Sequence, residues 1–243
     1  CASPCPVDID FGDVSIAMRN FLRRQGKKKF NAGTAASMLF LNATDPNTIK
    51  VTRKMMIDWG FRVQRLAYRA GKSLGLIQDQ VKHPPATLGR PSIKAQAIHI
   101  INKPMPGGLP KKTSRALLDI EDNRLVPVIR DPKKANEDSD AVFYFPACGS
   151  ARLFGSVGLA TQAMLYEVGA ITVLPPGYLC CGYPQTSAGE AEKGQKISTD
   201  NRVLFHRVAN TLNYLDIKTV VVSCGTCMAQ LQKYECDKIF QGC

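Results

Sequence analysis

AVFYFPACGS (residues 141–150), AITVLPPGYLCCGYP (170–184) and KTVVVSCGTC (218–227) share one plan. Each begins with a short apolar run, Ala141–Phe145, Ala170–Leu174 or Lys218–Val222, and each run leads into a turn that carries cysteine. Short apolar runs bounded by Gly and Pro read as strands. Between them the sequence turns helical: from Cys148 to about Val168, from about Ala188 to Leu215 with Leu204, Val208, Leu212 and Leu215 on one face, and again behind Cys227. Strands alternating with helices predict an α/β unit with a mainly parallel sheet. All three cysteine groups follow strand ends, where open α/β sheets hold their ligands.

The cysteines read C-x31-C-C-G-x42-C-x2-C across Cys148, Cys180, Cys181, Cys224 and Cys227. Thiolates are the usual ligands of iron–sulfur clusters and also suit zinc. Five thiols from three loops exceed the four of a closed tetrahedral zinc site. A zinc-stapled loop set nevertheless remains an alternative. Buried inert thiols are a poor account of adjacent Cys180 and Cys181. Gly149, Gly182 and Gly225 each follow a cysteine; glycine lets the backbone turn tightly and approach a ligand closely.

Working outward, Phe11, Val14, Met18, Phe21 and Leu22 recur at helical spacing, and that helix should stop near Gly26. The basic run Arg23, Arg24 and Lys27–Lys29 reads as a solvated helix end or as a face for an acidic partner. Asp45-Pro46 reads as an N-cap with Pro at the first helical position. The long helix that follows carries Ile49, Met56, Trp59, Val63, Leu66 and Ala70 and ends near Gly75, its Trp and Met residues reading as core packing. Residues 77–140 are punctuated by Pro and Gly, with extended candidates at Ala95–Ile101 and Arg124–Arg130. The expected divisions are 1–30, 31–140 and 141–243.

The chain has 243 residues and a net charge of +12. Residues 1–140 hold 24 Lys and Arg against 13 Asp and Glu, while residues 141–243 hold 8 against 7. The basic excess thus belongs to the half without the cysteine cluster. With no zinc-finger spacing and no aromatic-interleaved basic motif, nucleic acid is not the expected partner. No run approaches the length of a membrane-spanning helix, and no secretory signal opens the chain. The 9 cysteines, odd in number and closely grouped, suit metal ligation in a reducing cytoplasm better than a disulfide scaffold. Beginning at Cys1, the chain reads as a piece of something longer.

FYFPACGS, YLCCGYPQTSAGE and VVVSCGTCMAQLQKYE resemble the cysteine-rich CCG domain. That domain occurs in heterodisulfide reductase B subunits and in iron–sulfur subunits of glycolate, lactate and glycerol-3-phosphate dehydrogenases. The resemblance covers roughly residues 141–243. It implies a [4Fe–4S] cluster, non-cubane in some members, held by Cys148, Cys180, Cys181, Cys224 and Cys227. The 42-residue gap after Cys181 and the single CCG copy depart from the usual pattern. Cys1-Ala2-Ser3-Pro4-Cys5-Pro6 resembles the end of a bacterial ferredoxin motif, which makes Cys1 and Cys5 ligands of ferredoxin-type [4Fe–4S] clusters completed elsewhere. The continuation through Asp45-Pro46 is similar to bacterial proteins that fuse an FAD-binding oxidase, a ferredoxin part and a CCG part.

The implied function is electron transfer: a 2-hydroxy acid is oxidised at FAD outside this chain, and the cluster relays electrons to an acceptor protein or quinone. Its partner is an FAD-binding dehydrogenase part or subunit, and peripheral membrane association is left open. No residue here is an acid–base catalyst in that reading. Two alternatives stand: disulfide reduction at the cluster, which an open cavity over Cys180 and Cys181 would favour, and a zinc-bound interaction domain. His83, His99 and His206 read as ordinary histidines, and Cys236 and Cys243 lie outside the motif.

Overall fold

The computed structural model describes residues 10–27, 32–77, 97, 100–136 and 138–234. Cys1, Cys5, His83, His99, Cys236 and Cys243 lie outside these residues. The chain divides into two compact units, Cys1–Pro46 with Pro110–Cys243, and Asn47–Leu109.

The first unit is built on strands β1 (Val128–Ile129), β2 (Ala141–Phe145), β3 (Ile171–Val173) and β4 (Thr219–Val222), in the spatial order β1-β3-β2-β4. β2 pairs in parallel with both β3 and β4, and β1 runs antiparallel on the β3 edge. All five residues of β2 are buried, as befits a strand covered on both faces. Phe143 and Phe145 lie edge-on to Phe205, at 4.8 and 5.7 Å between ring centroids, and with Val173, Val208 and Leu231 they form the core. The chain runs from β2 outward to β3, then crosses to β4 on the other side of β2. That reversal makes the carboxyl end of β2 the topological switch point. The expected α/β architecture and mainly parallel sheet are what the structure has.

The helices fill in the reading. After α1 (Phe11–Arg24) and α2 (Ala32–Asn42), the chain continues through α3 (Pro46–Arg53) and α4 (Phe61–Ser73), joined without a break by a π-helical segment, Lys54–Gly60. A short α5 (Ser114–Leu117) precedes the sheet, followed within it by α6 (Cys148–Arg152), α7 (Gly155–Glu167), α8 (Tyr183–Ser187), α9 (Ala191–Thr211) and α10 (Gly225–Gln232). Two helices therefore stand where one was expected after Cys148. Of Arg124–Arg130 only Val128–Ile129 is strand, and in Ala95–Ile101 the described residues Ala97, Ile100 and Ile101 are helical. Alternating apolar residues in a short run do not separate strand from helix.

α1 meets the first unit through its polar side. Arg19 Nη1 donates to the Ser187 carbonyl at 2.8 Å, Arg23 pairs with Glu190 at 2.7 Å, and Asn20 Oδ1 accepts from the Ala191 N–H that opens α9. The predicted apolar face, Phe11, Val14, Met18 and Phe21, is exposed.

In the second unit, Gln64 anchors the segment that returns along the helix. Its side-chain amide donates to the Ile100 and Lys103 carbonyls and accepts from the Met105 N–H. Ile49 and Ile57 are buried here, but Trp59, Val63 and Leu66 are exposed, against the reading of one packed face. The π segment is the reason: its wider turn rotates everything beyond it relative to a regular 3.6-residue pattern.

Candidate metal centre

Cys148 opens α6 directly behind β2, Cys180 and Cys181 end the loop after β3, and Cys224 caps α10 behind β4, with Cys227 one turn in. All five predicted residues are free thiols, and all but Cys224 are buried. They form a string in which each thiol acts on the acidity of the next: Cys148 with Cys180, Cys180 with Cys181, Cys181 with Cys227, and Cys227 with Cys224. The Cys227 thiol donates to Cys181 Sγ at 3.4 Å. Among the described residues no three His, Cys, Asp or Glu side chains are gathered round a point that would hold a single metal ion. The structure places the five motif cysteines along the carboxyl edge of the sheet without gathering them round one point; Cys1 and Cys5 lie outside the described residues.

The Cys180–Cys181–Gly182 turn is held from three sides. Asn201 Nδ2 donates to the Cys180 carbonyl at 2.7 Å, and the Tyr234 hydroxyl donates to the Cys181 carbonyl at 2.8 Å. The Gln185 amide reaches Asn42, and its oxygen lies 3.8 Å from the Cys180 sulfur. Gly182 sits at φ +83°, and a Cβ there would stand 2.8 Å from the Gly194 carbonyl oxygen. Only glycine meets both conditions, left-handed backbone and a touching helix. The same reading does not hold for Gly149 and Gly225: both are helical, and a Cβ on either would meet nothing within 4 Å.

A cation lies behind the string. Arg152, fully buried, is one helical turn from Cys148 on α6 and donates to the carbonyls of Leu179 (3.2 Å) and Ala43 (2.7 Å). Its guanidinium is 5.5 Å from the Tyr178 ring centroid, and that of Arg115 is 5.6 Å from the same ring. Tyr178 in turn donates to Glu121 at 2.8 Å and exchanges a hydrogen bond with Thr113. Sequence reasoning missed Arg152, Tyr178, Gln185, Asn201 and Tyr234. The i, i+4 placement of Cys148 and Arg152 was the one available signal. His206 is exposed on α9, as expected of an ordinary histidine. A cavity of about 230 Å³ opens beside Cys180, lined among others by Asn42, Thr44, Arg152, Asp200 and Asn201.

The thiols are electrostatically unequal. Hydrogen bonds from Cys148 and Cys181, the Gly182 N–H and the Arg152 charge hold Cys180 well below the usual thiol range. Cys148 is pushed up by its hydrogen bond to Cys180 and by burial; Cys181 is pushed up by its bonds to Cys180 and Cys227 and by burial. Burial also raises Tyr234 to about 12. At Cys224 burial acts upward, but hydrogen bonds from Thr226 and the backbone N–H groups outweigh it and lower the thiol. A raised group stabilises the fold below its unfolded pKa and loses that contribution as pH climbs toward its folded value. With unfolded thiols at about 8.5 and tyrosine at about 10, Cys148, Cys181 and Tyr234 all favour the fold less as pH rises, while the depressed Cys180 and Cys224 act the other way. Above about pH 9 the depressed thiols already contribute in full, so only the raised groups still change, and the metal-free chain should unfold at lower urea at about pH 10.5 than at about pH 9. A midpoint that rises over this interval contradicts the assignment.

Residues 142–232 match the family described as the cysteine-rich domain, CCG. That stretch holds all five motif cysteines, and the resemblance read from them holds. Two curated relatives match part of the chain. The probable glycolate oxidase iron-sulfur subunit of Bacillus subtilis (strain 168) is 29% identical over 112 residues, 46% of this chain and 22% of that protein. Lactate utilization protein A of an Exiguobacterium species is 30% identical over 93 residues, 38% of this chain and 35% of that protein. The match thus covers well under two thirds of either relative. No solved structure matches the chain at a significant level.

Proposed function

We propose that the first unit is an iron–sulfur electron-transfer module whose cluster is held by Cys148, Cys180, Cys181, Cys224 and Cys227. The observation that carries this reading is the string of five free thiols at the carboxyl edge of the sheet, four of them buried, with a fully buried arginine behind it. The donor set fits a cluster. Soft sulfur ligands suit iron–sulfur chemistry, and the Arg152 charge beside Cys180 favours the thiolate form that ligation needs. When bound, such a cluster takes up and releases single electrons. The chain's own residues orient the thiols, fix the CCG turn and exclude water.

The relatives' names support a setting in which a 2-hydroxy acid such as glycolate or lactate is the electron source. In this proposal a flavoprotein part or subunit carrying FAD oxidises that acid. Ferredoxin-type clusters, to which Cys1 and Cys5 contribute, pass the electrons on, and the CCG cluster delivers them to a protein or quinone acceptor. Residues 1–30, 31–140 and 141–243 then act as ferredoxin end, connector and CCG domain. A second reading, disulfide reduction at the cluster, is supported by the cavity beside Cys180. Metal analysis of anaerobically purified chain is the test. Iron with acid-labile sulfide supports the electron-transfer reading, whereas stoichiometric zinc supports the interaction-domain alternative.

A further inference from the structure

The long helix of the second unit is arranged the wrong way round for a core element. Ile49 and Ile57 turn inward, while Val51, Met55, Trp59, Val63 and Leu66 are between 58% and 66% exposed. Those five residues follow one another at steps of four, four, four and three. In an uninterrupted α-helix successive steps of four drift around the axis. The π segment Lys54–Gly60 takes up the surplus with its i→i+5 turn, which brings the residues on either side of it into one outward stripe.

The charge beside this stripe is predominantly positive. Lys50, Lys54, Arg62, Arg65, Arg69 and Lys72 are spread along the helix, and Asp58 is the one acidic residue between Asn47 and Ile77. Residues 47–109 hold 11 Lys and Arg against 2 Asp, which is +9 of the chain's +12. No helix among the described residues is long and apolar enough to cross a membrane. A helix with cations on its polar face, Trp and aliphatic residues on the other, and too little hydrophobicity to span is the kind that lies in the interface of an anionic bilayer. Clustered Lys and Arg are drawn to the negative surface potential of such a bilayer, and the effect fades within a Debye length.

We propose that the helix Pro46–Ser73 docks the protein on an anionic lipid surface, with Val51, Met55, Trp59, Val63 and Leu66 entering the acyl boundary and the Lys and Arg residues meeting the headgroups. The Lys and Arg excess flanking an apolar stripe that includes Trp59 favours an anionic bilayer over a protein partner. This inference does not depend on the cluster, so metal-free and metal-bound chain serve equally.

Trp59 is the only tryptophan, which makes the stripe its own reporter. The full chain is titrated with vesicles of phosphatidylglycerol and phosphatidylcholine in equal parts, at low salt, and Trp59 emission is followed. The expected result is a shift to shorter wavelength and protection from an aqueous quencher. Binding should weaken roughly tenfold or more in pure phosphatidylcholine, in half-molar salt, or in the Arg62→Glu/Arg69→Glu chain. Val63→Asp/Leu66→Asp should abolish the shift, with circular dichroism checking that helix content is kept. Should that variant lose its helix, the salt and charge-reversal series alone decides. Three results overturn the proposal: no response to the anionic vesicles, equal response to both lipids, or an equal response to lipid-free polyglutamate. Burial of Trp59 by self-association without lipid, seen in light scattering, overturns it as well.

Discussion

Replacing Cys181 by serine should strip most of the iron from anaerobically reconstituted protein while the fold stays intact. Cys181 is 1% exposed and lies midway along the sulfur string, 3.4 Å from the Cys227 sulfur and next in sequence to Cys180. A serine hydroxyl is a hard ligand that iron in a cluster accepts poorly. It still hydrogen-bonds, and the main-chain anchor from Tyr234 to the Cys181 carbonyl is untouched. Metal-free stability should therefore change by only about 1 kcal/mol, whereas iron content falls by most of its value. Because ligation and local folding are coupled, residues 177–186 and 223–228 should also exchange their amide hydrogens faster. Cys224→Ser should behave alike. Cys236→Ser, outside the motif, should keep its iron. Equal iron in Cys181→Ser and the parent would remove the adjacent pair from the ligand set.

Gly182→Val should severely destabilise the fold of the first unit. The substitution places a β-branched residue at φ +83° and drives its Cβ to 2.8 Å from the Gly194 carbonyl oxygen and 3.3 Å from Ser198 Oγ. Left-handed backbone alone costs a non-glycine residue about 1–2 kcal/mol. The contact with the α9 backbone adds to that because neither helix can yield without moving the CCG turn. A total loss of about 3 kcal/mol or more is expected, read as a fall in the urea midpoint of the metal-free chain. Gly225→Ala, at an open helical position, should leave the midpoint unchanged or raise it slightly. Similar midpoints for Gly182→Val and Gly225→Ala would contradict the geometry assigned to the turn.

The contrast between these glycines shows where sequence reading reached its limit. The three cysteine-bearing strands, the mainly parallel sheet and the five motif cysteines were legible because apolar runs ending in Cys-bearing turns have few other meanings. α1 and α9 followed from helical periodicity. α2, by contrast, is Ala32–Asn42, an alanine-rich apolar stretch with no clear face, and period-based reading has nothing to grip there. The π segment left no mark in composition, so the register beyond Lys54 was misjudged and Trp59 was assigned to a core it does not enter. Asn201 and Tyr234 reach the CCG turn across 21 and 53 residues of chain. Contacts of that kind are set by tertiary packing and carry no local signature. Arg152 was within reach, since it shares a helix turn with Cys148, but an arginine near a cysteine is common enough to pass unnoticed.

The central claim is that the five thiols hold an iron–sulfur cluster, and it is tested most directly by counting metal and sulfide in one variant. The chain with Cys1→Ser and Cys5→Ser removes the ferredoxin-like residues and leaves Cys148, Cys180, Cys181, Cys224 and Cys227 in place. After anaerobic reconstitution, the account predicts about four iron and four acid-labile sulfide per chain, with an electron paramagnetic resonance signal in one redox state. Iron near zero in that variant, or zinc bound at one per chain without sulfide, would contradict it.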